Sequence, residues 1–231
     1  MKPRSRRAAA LVAAGSGVYL ALRPQLRHWG ATSDEVRRQM PGDDLVPNAQ
    51  YVSTRAVTIR ARPADVWPWL IQMGQGRGGY YSYDWLENLA GLDIHSADRV
   101  VPELQRLEPG DVVRVGPQAG LVVSVLEPQR ALVLRSVADL ATKRLPSPTD
   151  PDYFDWSWGF YLTDLGDGGT RLVIRVRAAT TPGPAMRLLG ALVFEPVHFT
   201  MEQRMLVGIK RRVEATGGHR QLPDNGARSS T

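Results

Sequence analysis

Three side chains near the C-terminus have the types and spacing of a proton-transfer site. Glu195, His198 and Glu202 stand three and four residues apart, which puts them on one stripe of a helix. A carboxylate beside an imidazole is a pairing that general acid–base catalysis uses. Glu195-x-x-His198 also has the spacing of the carboxylate–histidine ligands of di-metal bundles. Such sites need further ligands from other helices, and no partner set is found. With no Cys and four His (His28, His95, His198 and His219), thiolate zinc sites are excluded and a His-built metal site has few candidates. A hydrogen-bonded His–Glu pair on a partly buried helix is the plain alternative. His95, in "DIHSADR", lies near Asp93 and Asp98 and reads either as a general base or as a loop histidine.

A second constellation is "GQGRGGYYSYDWLENL", Gly74 to Leu89. Gly74, Gly76 and Gly79 fit G-x-G-x-x-G, but a dinucleotide loop needs a buried strand before its glycines and a helix starting on them. The segment before is "ADVWPWLIQM", which is helical and interrupted by Pro68. The better reading is a loop whose glycines let backbone pass close to bulky rings. Tyr80, Tyr81, Tyr83 and Trp85 then either line a pocket mouth or cap the core. Arg77 inside the loop could anchor a carboxylate or phosphate, or stay solvated, or pair with Asp84 or Glu87. Trp156, Trp158 and Phe160 alternate along one strand face, with Ser157, Gly159 and Tyr161 on the other. Three large rings on one face point to the interior. The chain has no G-x-S-x-G elbow, H-E-x-x-H or P-loop.

These residues need elements to hold them. The 231 residues fit one good-sized domain with appendages. The net charge is +6, and the first 27 residues hold six basic residues and no acid. The remainder is therefore neutral, which argues against a phosphate-tracking face and against nucleic acid as a partner. Ala8 to Leu22 is an uncharged run flanked by arginines. As a helix it spans roughly 22 Å, short of the ~30 Å bilayer core. It reads as a signal-anchor or short membrane helix, as a cleaved export signal, or as a helix docked on its own domain.

Thr32 and Glu35 have capping-box spacing for a helix over Ser33 to Met40, and "DDLVP" reads as a linker. "YVSTRAVTIRA" alternates as a strand with Val57 and Ile59 on the buried side. Pro68 predicts two short helices meeting within Arg62 to Met73, and Ser82 starts another that Gly91 ends. Five strand-like runs follow between Asp111 and Thr180, separated by turn signals. A long helix is expected from Pro184 to Ala215, kinked at Pro196 and apolar on two faces: Leu188, Leu192, Phe199, Leu206 and Ile209 on one, Leu189, Val193 and Val197 on the other. The organisation is thus an N-terminal anchor or export segment (1–30), a short helix and linker (31–50), one α+β domain (51–215) and a polar tail (216–231).

That order, carried by "PADVWPWL", "WSWGFYL", "GGTRLVIRVR" and the final helix, resembles the START-like superfamily of polyketide cyclases, Bet v 1-like proteins and lipid-transfer domains. "HWGAT…PGDDLVP…VWPWLIQMGQGRGGYYSYDWLEN" looks like a bacterial subgroup within it. The resemblance implies a helix-grip fold, a curved antiparallel sheet wrapped around a long C-terminal helix, with an apolar pocket. It implies binding of a hydrophobic, lipid-like or polycyclic molecule, with Arg77, Tyr81, Tyr83, Trp85, Trp156, Trp158 and Phe160 as ligand contacts and no cofactor. Residues 8–22 would associate it with a membrane, the rest being cytoplasmic. The alternatives are a cyclase- or aromatase-type enzyme using His198, Glu202, His95 and Tyr83, and a pocketless interaction module.

Overall fold

The computed structural model describes residues 15, 17–19, 21–151, 153–180 and 190–218. Six strands form one antiparallel sheet in the order β1-β6-β5-β4-β3-β2. They are β1 (Tyr51–Ile59), β2 (Val112–Gly116), β3 (Ala119–Glu127), β4 (Ala131–Ser136), β5 (Phe154–Asp164) and β6 (Thr170–Thr180). The five downstream strands coincide with the five predicted runs to within a residue or two, because Gly, Pro and Asp mark each turn. The helices are α1 (21–27), α2 (Ser33–Arg37), α3 (Pro63–Ile71), α4 (Asp84–Leu89) and α5 (Glu195–Gly218). Helix α5 lies across one face of the sheet, where Met205, Leu206, Ile209 and Val213 join Trp158, Phe160, Leu172 and Ile174 in the main core. This is the helix-grip fold that the resemblance implies.

The two sheet faces are both covered, which corrects the one-sided reading of β1. Val57 and Ile59 are buried against α5, but Thr54 and Ala56 on the opposite face are equally enclosed. Their cover is the segment read as a linker. Met40, with Ala31 and Leu45 partly buried, packs on Ala56, Val133, Tyr161 and Val173. Helix α2 has the predicted capping box, with Glu35 N donating to Thr32 Oγ1 at 3.2 Å and Thr32 N donating to Glu35 Oε2 at 2.7 Å. It ends at Arg37 rather than Met40, since Arg38 is extended and gives its carbonyl to Arg175.

Pro68 does not divide its helix. Helix α3 is continuous through it, because a proline removes one i→i−4 bond. The residue left without that donor, Ala64, lines an open groove, where water can serve its carbonyl. At Pro196 the predicted irregularity takes a specific form. Gly190–Phe194 is a π turn, and α5 begins at Glu195. Pro196 thus falls in the first turn, where its missing N–H costs little. Val193 and Val197, placed by sequence on the second apolar face, are 53% and 50% exposed. Leu188 and Leu189 lie outside the described residues, as does most of the 8–22 run. Among the described residues no helix is long and apolar enough to cross a membrane.

One glycine fixes the approach of α5 to the aromatic loop. A Cβ on Gly208 would stand 2.2 Å from the Tyr81 carbonyl oxygen, so a side chain there would push the helix off the loop.

Candidate functional site on the concave face

Strand register places the concave-face residues in rows. Trp156, Ala178 and Tyr51 form one row, Trp158, Val176 and Ser53 the next, and Phe160, Ile174 and Arg55 a third. The β5 rings stack along the strand, with centroids 5.7 Å apart for Trp156–Trp158 and 4.9 Å for Trp158–Phe160. Tyr80 from the glycine loop lies 6.1 Å from Trp158. Phe160 and Trp158 are buried, and Trp156 is partly buried at the end of the wall.

Polar atoms without partners lie on this wall and on the helices near it. Trp156 Nε1, Ser53 Oγ, Glu87 Oε2 and Arg204 Nε are all enclosed and find no hydrogen-bond partner among the described residues. Ser53 and Trp156 point to the same side of the sheet in adjacent rows. Arg204 lies 5.6 Å over the Tyr83 ring, and Tyr83 is the N-cap of α4, the helix that carries Glu87.

The Glu195, His198 and Glu202 stripe faces inward, and arginines fill it. Glu202 accepts from Arg55 through Oε2 and from Trp158 Nε1 through Oε1 at 3.2 Å. Arg55 is 1% exposed and also donates to Leu26 O at 3.0 Å. His198 Nδ1 stands 3.5 Å from Arg55 Nη1 and His198 Nε2 4.0 Å from Glu202 Oε1. Its ring meets Tyr51 edge-on and stacks on Phe194. Burial lowers the His198 pKa, against the opposing pull of Glu202, so the imidazole is neutral at pH 7. Glu195 is clamped from α1 by Arg23 and Arg27, with Arg27 Nη2 donating at 2.8 Å. Burial pushes its carboxyl up, but the two guanidinium groups outweigh it and hold the pKa below the usual value. Both Glu202 oxygens are thus committed to protein donors, and Glu195 is a docking point for α1.

The other predicted residues lie apart. Arg77 donates through Nη2 to the carbonyls of Ile71 at 3.0 Å and Leu104 at 2.8 Å, holding loops together. Tyr81 is buried, its hydroxyl donating to Trp69 O at 3.0 Å. Its backbone has a φ of 59°, a left-handed conformation a non-glycine residue adopts at some strain. Trp85 is 67% exposed and packs edge-on to Tyr83. His95 Nε2 is 3.1 Å from Asp93 Oδ1, with both side chains exposed. The structure therefore brings Trp156, Trp158 and Phe160 together with His198 and Glu202. Tyr83 sits beside Arg204, and Arg77, Tyr81, Trp85 and His95 lie elsewhere.

Sequence reasoning passed over Arg55, Ser53 and Glu87. Arg55 and Ser53 were legible in principle, as polar residues in register with Val57 and Ile59. Glu87 gave no signal, since the facing of a six-residue helix is not set by its pattern. A groove of about 1050 Å³ also opens at the opposite end, between Arg60, Arg62, Pro68, Leu165, Asp167 and Glu214. None of the predicted site residues lines it.

No family model matches the chain, and no curated protein does. Solved structures resemble it. The chain is similar to a hypothetical protein from Helicobacter pylori at 12% identity, over 75% of this chain and 94% of that one, with a TM-score of 0.44. It is similar to Ara h 8.0201 at 15% identity, over 71% and 98% of the two chains, with a TM-score of 0.40. For CalU16 from Micromonospora echinospora the identity is 17%, the coverage 72% and 86%, and the TM-score 0.32. Likeness at this level carries nothing about function. The helix-grip fold stands on the order and pairing of the chain's own strands around α5.

Proposed function

We propose that this protein binds an apolar, lipid-like or polycyclic small molecule on the concave face of its sheet, at the Trp156 end of the aromatic wall. The observation that carries this reading is the placing of partnerless polar atoms, Trp156 Nε1 and Ser53 Oγ, along aromatic surface. A buried polar group left unpaired costs about 1–3 kcal/mol. A wall kept only for packing gains nothing from such atoms. Apolar binding sites are built this way, from extensive apolar surface with a few polar groups that fix orientation. Burial of the ligand at about 25 cal/mol per Å² supplies the affinity.

The N-terminal segment supports action beside a membrane. Val18 and Leu22 are 61% and 50% exposed, and Arg23 and Arg27 dock the same segment onto Glu195. Flotation with phosphatidylglycerol vesicles, lost in high salt and absent with phosphatidylcholine, is the expected outcome. An acid–base enzyme has a neutral His198 in its favour. The committed Glu202 weighs against it.

Native mass spectrometry of the purified full chain tests the main reading. A co-purified apolar molecule, or saturable quenching of Trp fluorescence by an added polycyclic probe, is expected. A bare mass together with no saturable probe binding overturns it.

A further inference from the structure

Helix α4 buries an acid more deeply than any of its apolar residues, Leu86 being only partly buried. Of Asp84–Leu89, the residue buried is Glu87, 6% exposed, while Trp85 and Leu89 are 67% and 78% exposed. A short helix placed for packing turns its apolar side chains inward. Here a carboxyl group is the side chain turned furthest inward, and its Oε2 is enclosed with no hydrogen-bond partner among the described residues. A carboxylate buried for structural reasons is paired. Asp84, on the same helix, shows the contrast: it accepts from Ser96 N at 2.7 Å and Ser96 Oγ at 2.6 Å.

Glu87 belongs to the surroundings of the aromatic wall. Burial, and to a smaller extent the Glu87 charge, raise the pKa of the Tyr80 hydroxyl, so the two groups are within electrostatic reach. The Tyr80 ring packs on Trp158, and its hydroxyl is spent on Arg114 O at 2.6 Å. Burial, then the charge of Asp84, push the Glu87 carboxyl up to about 7. A protonated carboxyl is a hydrogen-bond donor. Arg204 Nε and Trp156 Nε1 are unspent donors as well. A guanidinium N–H, an indole N–H and a carboxylic O–H, set among rings, are complementary to oxygen acceptors on an otherwise apolar molecule.

We propose that Glu87 is the polar anchor of the concave-face site, its carboxylic acid donating a hydrogen bond to a carbonyl oxygen of the bound molecule and so favouring ketones, quinones or esters over hydrocarbons. This inference rests on the ligand-binding reading above. It also has a conformational logic, since the orphaned acid is a cost the free protein carries until the ligand pairs it.

Two probes separate the claims. Prodan is an apolar aromatic ketone whose emission moves to the blue when its carbonyl loses a hydrogen bond. N-phenyl-1-naphthylamine is of similar size and has no carbonyl. Both are titrated into the full-length protein and into Glu87→Leu and Glu87→Gln at pH 6. Wild type is expected to bind both. Glu87→Leu should weaken prodan about tenfold, a loss on the scale of one hydrogen bond, and shift its bound emission to the blue. Its affinity for the naphthylamine should stay within about twofold of wild type, since apolar burial is untouched. Glu87→Gln keeps an N–H donor and should retain most prodan binding. Wild-type prodan affinity should fall between pH 6 and pH 8 as the carboxyl ionises, and the Gln variant should be flat. Equal losses of both probes, or unchanged prodan binding in Glu87→Leu, overturn the anchor role while leaving the site in place. Failure of wild type to bind either probe overturns the site itself and the anchor with it.

Discussion

The two faces of the sheet are built from the same strands but solve the polar problem in opposite ways. On the convex face Arg171, Arg175 and Arg177 of β6 reach into the 30–47 segment. Arg175 alone donates to Thr54 Oγ1, Asp43 Oδ2 and the carbonyls of Glu35, Val36 and Arg38. Even Asp43 Oδ1, which makes no hydrogen bond, has Arg177 Nη1 at 3.9 Å. On the concave side, beside the paired Arg55–Glu202 cluster, Trp156 and Ser53 of the sheet, Glu87 of α4 and Arg204 of α5 have atoms with no partner among the described residues. Saturation on one side and deficit on the other is the contrast on which the proposed ligand site rests.

The largest expected effect breaks the saturated side. Arg175 is 4% exposed, so Arg175→Met removes the guanidinium from three carbonyls and from Asp43, whose Oδ2 keeps only the Met40 N–H at 2.9 Å. Removing one partner of a buried ion pair costs about 3–5 kcal/mol. Urea denaturation should show a loss of that order, together with raised protease sensitivity between residues 30 and 47. A loss under 1 kcal/mol would mean that the convex cover is not integral to the domain.

Next in size is an acid-sensitive contribution from the same face. The Arg171 hydrogen bond, outweighing burial, holds the Glu35 carboxyl down to about 2, with help from Thr32 N. A carboxyl whose folded pKa is depressed stabilises above its ordinary value of 4.5, and that stability is lost as pH falls toward 2. Wild type should exceed Glu35→Gln by about 2–3 kcal/mol at pH 7, with the gap closing between pH 4.5 and pH 2. A constant gap would assign the effect to packing or capping rather than charge.

The saturated face was also the more legible one. Thr32 and Glu35 announced their capping box, and turn residues bounded the five downstream strands, because local chemistry sets both. The concave ring triple followed from period-two alternation. The fate of the 30–47 segment did not, since nothing local says that a polar-looking linker will be pinned by arginines more than 120 residues away, as |i−j| is 132 for Arg175–Asp43. Arg77 and Tyr81 were drawn toward a ligand by their types, yet their partners, the Ile71, Leu104 and Trp69 carbonyls, are backbone atoms that sequence cannot assign. Glu87 escaped notice for the same reason in reverse. What marks it in the structure is the lack of a partner among the described residues.

On the deficit side the predicted sign reverses. Glu87→Leu replaces an unpaired buried carboxyl by an apolar side chain, so it should stabilise the free protein by about 1–2 kcal/mol at pH 8. Because the folded pKa is raised to about 7, the wild-type contribution is fully present below 4.5 and lost as pH rises through 7. The gain from the substitution should therefore shrink toward pH 5. Destabilisation at pH 8 would show that Glu87 has a structural partner and would remove the contrast between the faces at this residue.

The smallest effect on stability is the sharpest on the comparison, because it lies within one strand face. Trp156 and Trp158 stack on each other, but Trp158 Nε1 donates to Glu202 Oε1 and Trp156 Nε1 donates to nothing. Trp158→Phe strands a buried carboxylate oxygen and should cost about 1–3 kcal/mol. Trp156→Phe removes an N–H that had no partner and should change stability by less than about 1 kcal/mol, the lost ring area being offset by the donor no longer buried. Ligand binding should divide them the other way. Trp156→Phe should weaken prodan several-fold and spare N-phenyl-1-naphthylamine, because the indole donor meets an oxygen only when the ligand carries one. If the two substitutions instead cost the same stability and neither alters probe binding, the wall is continuous core, and the missing partners on that face have no bearing on what the protein binds.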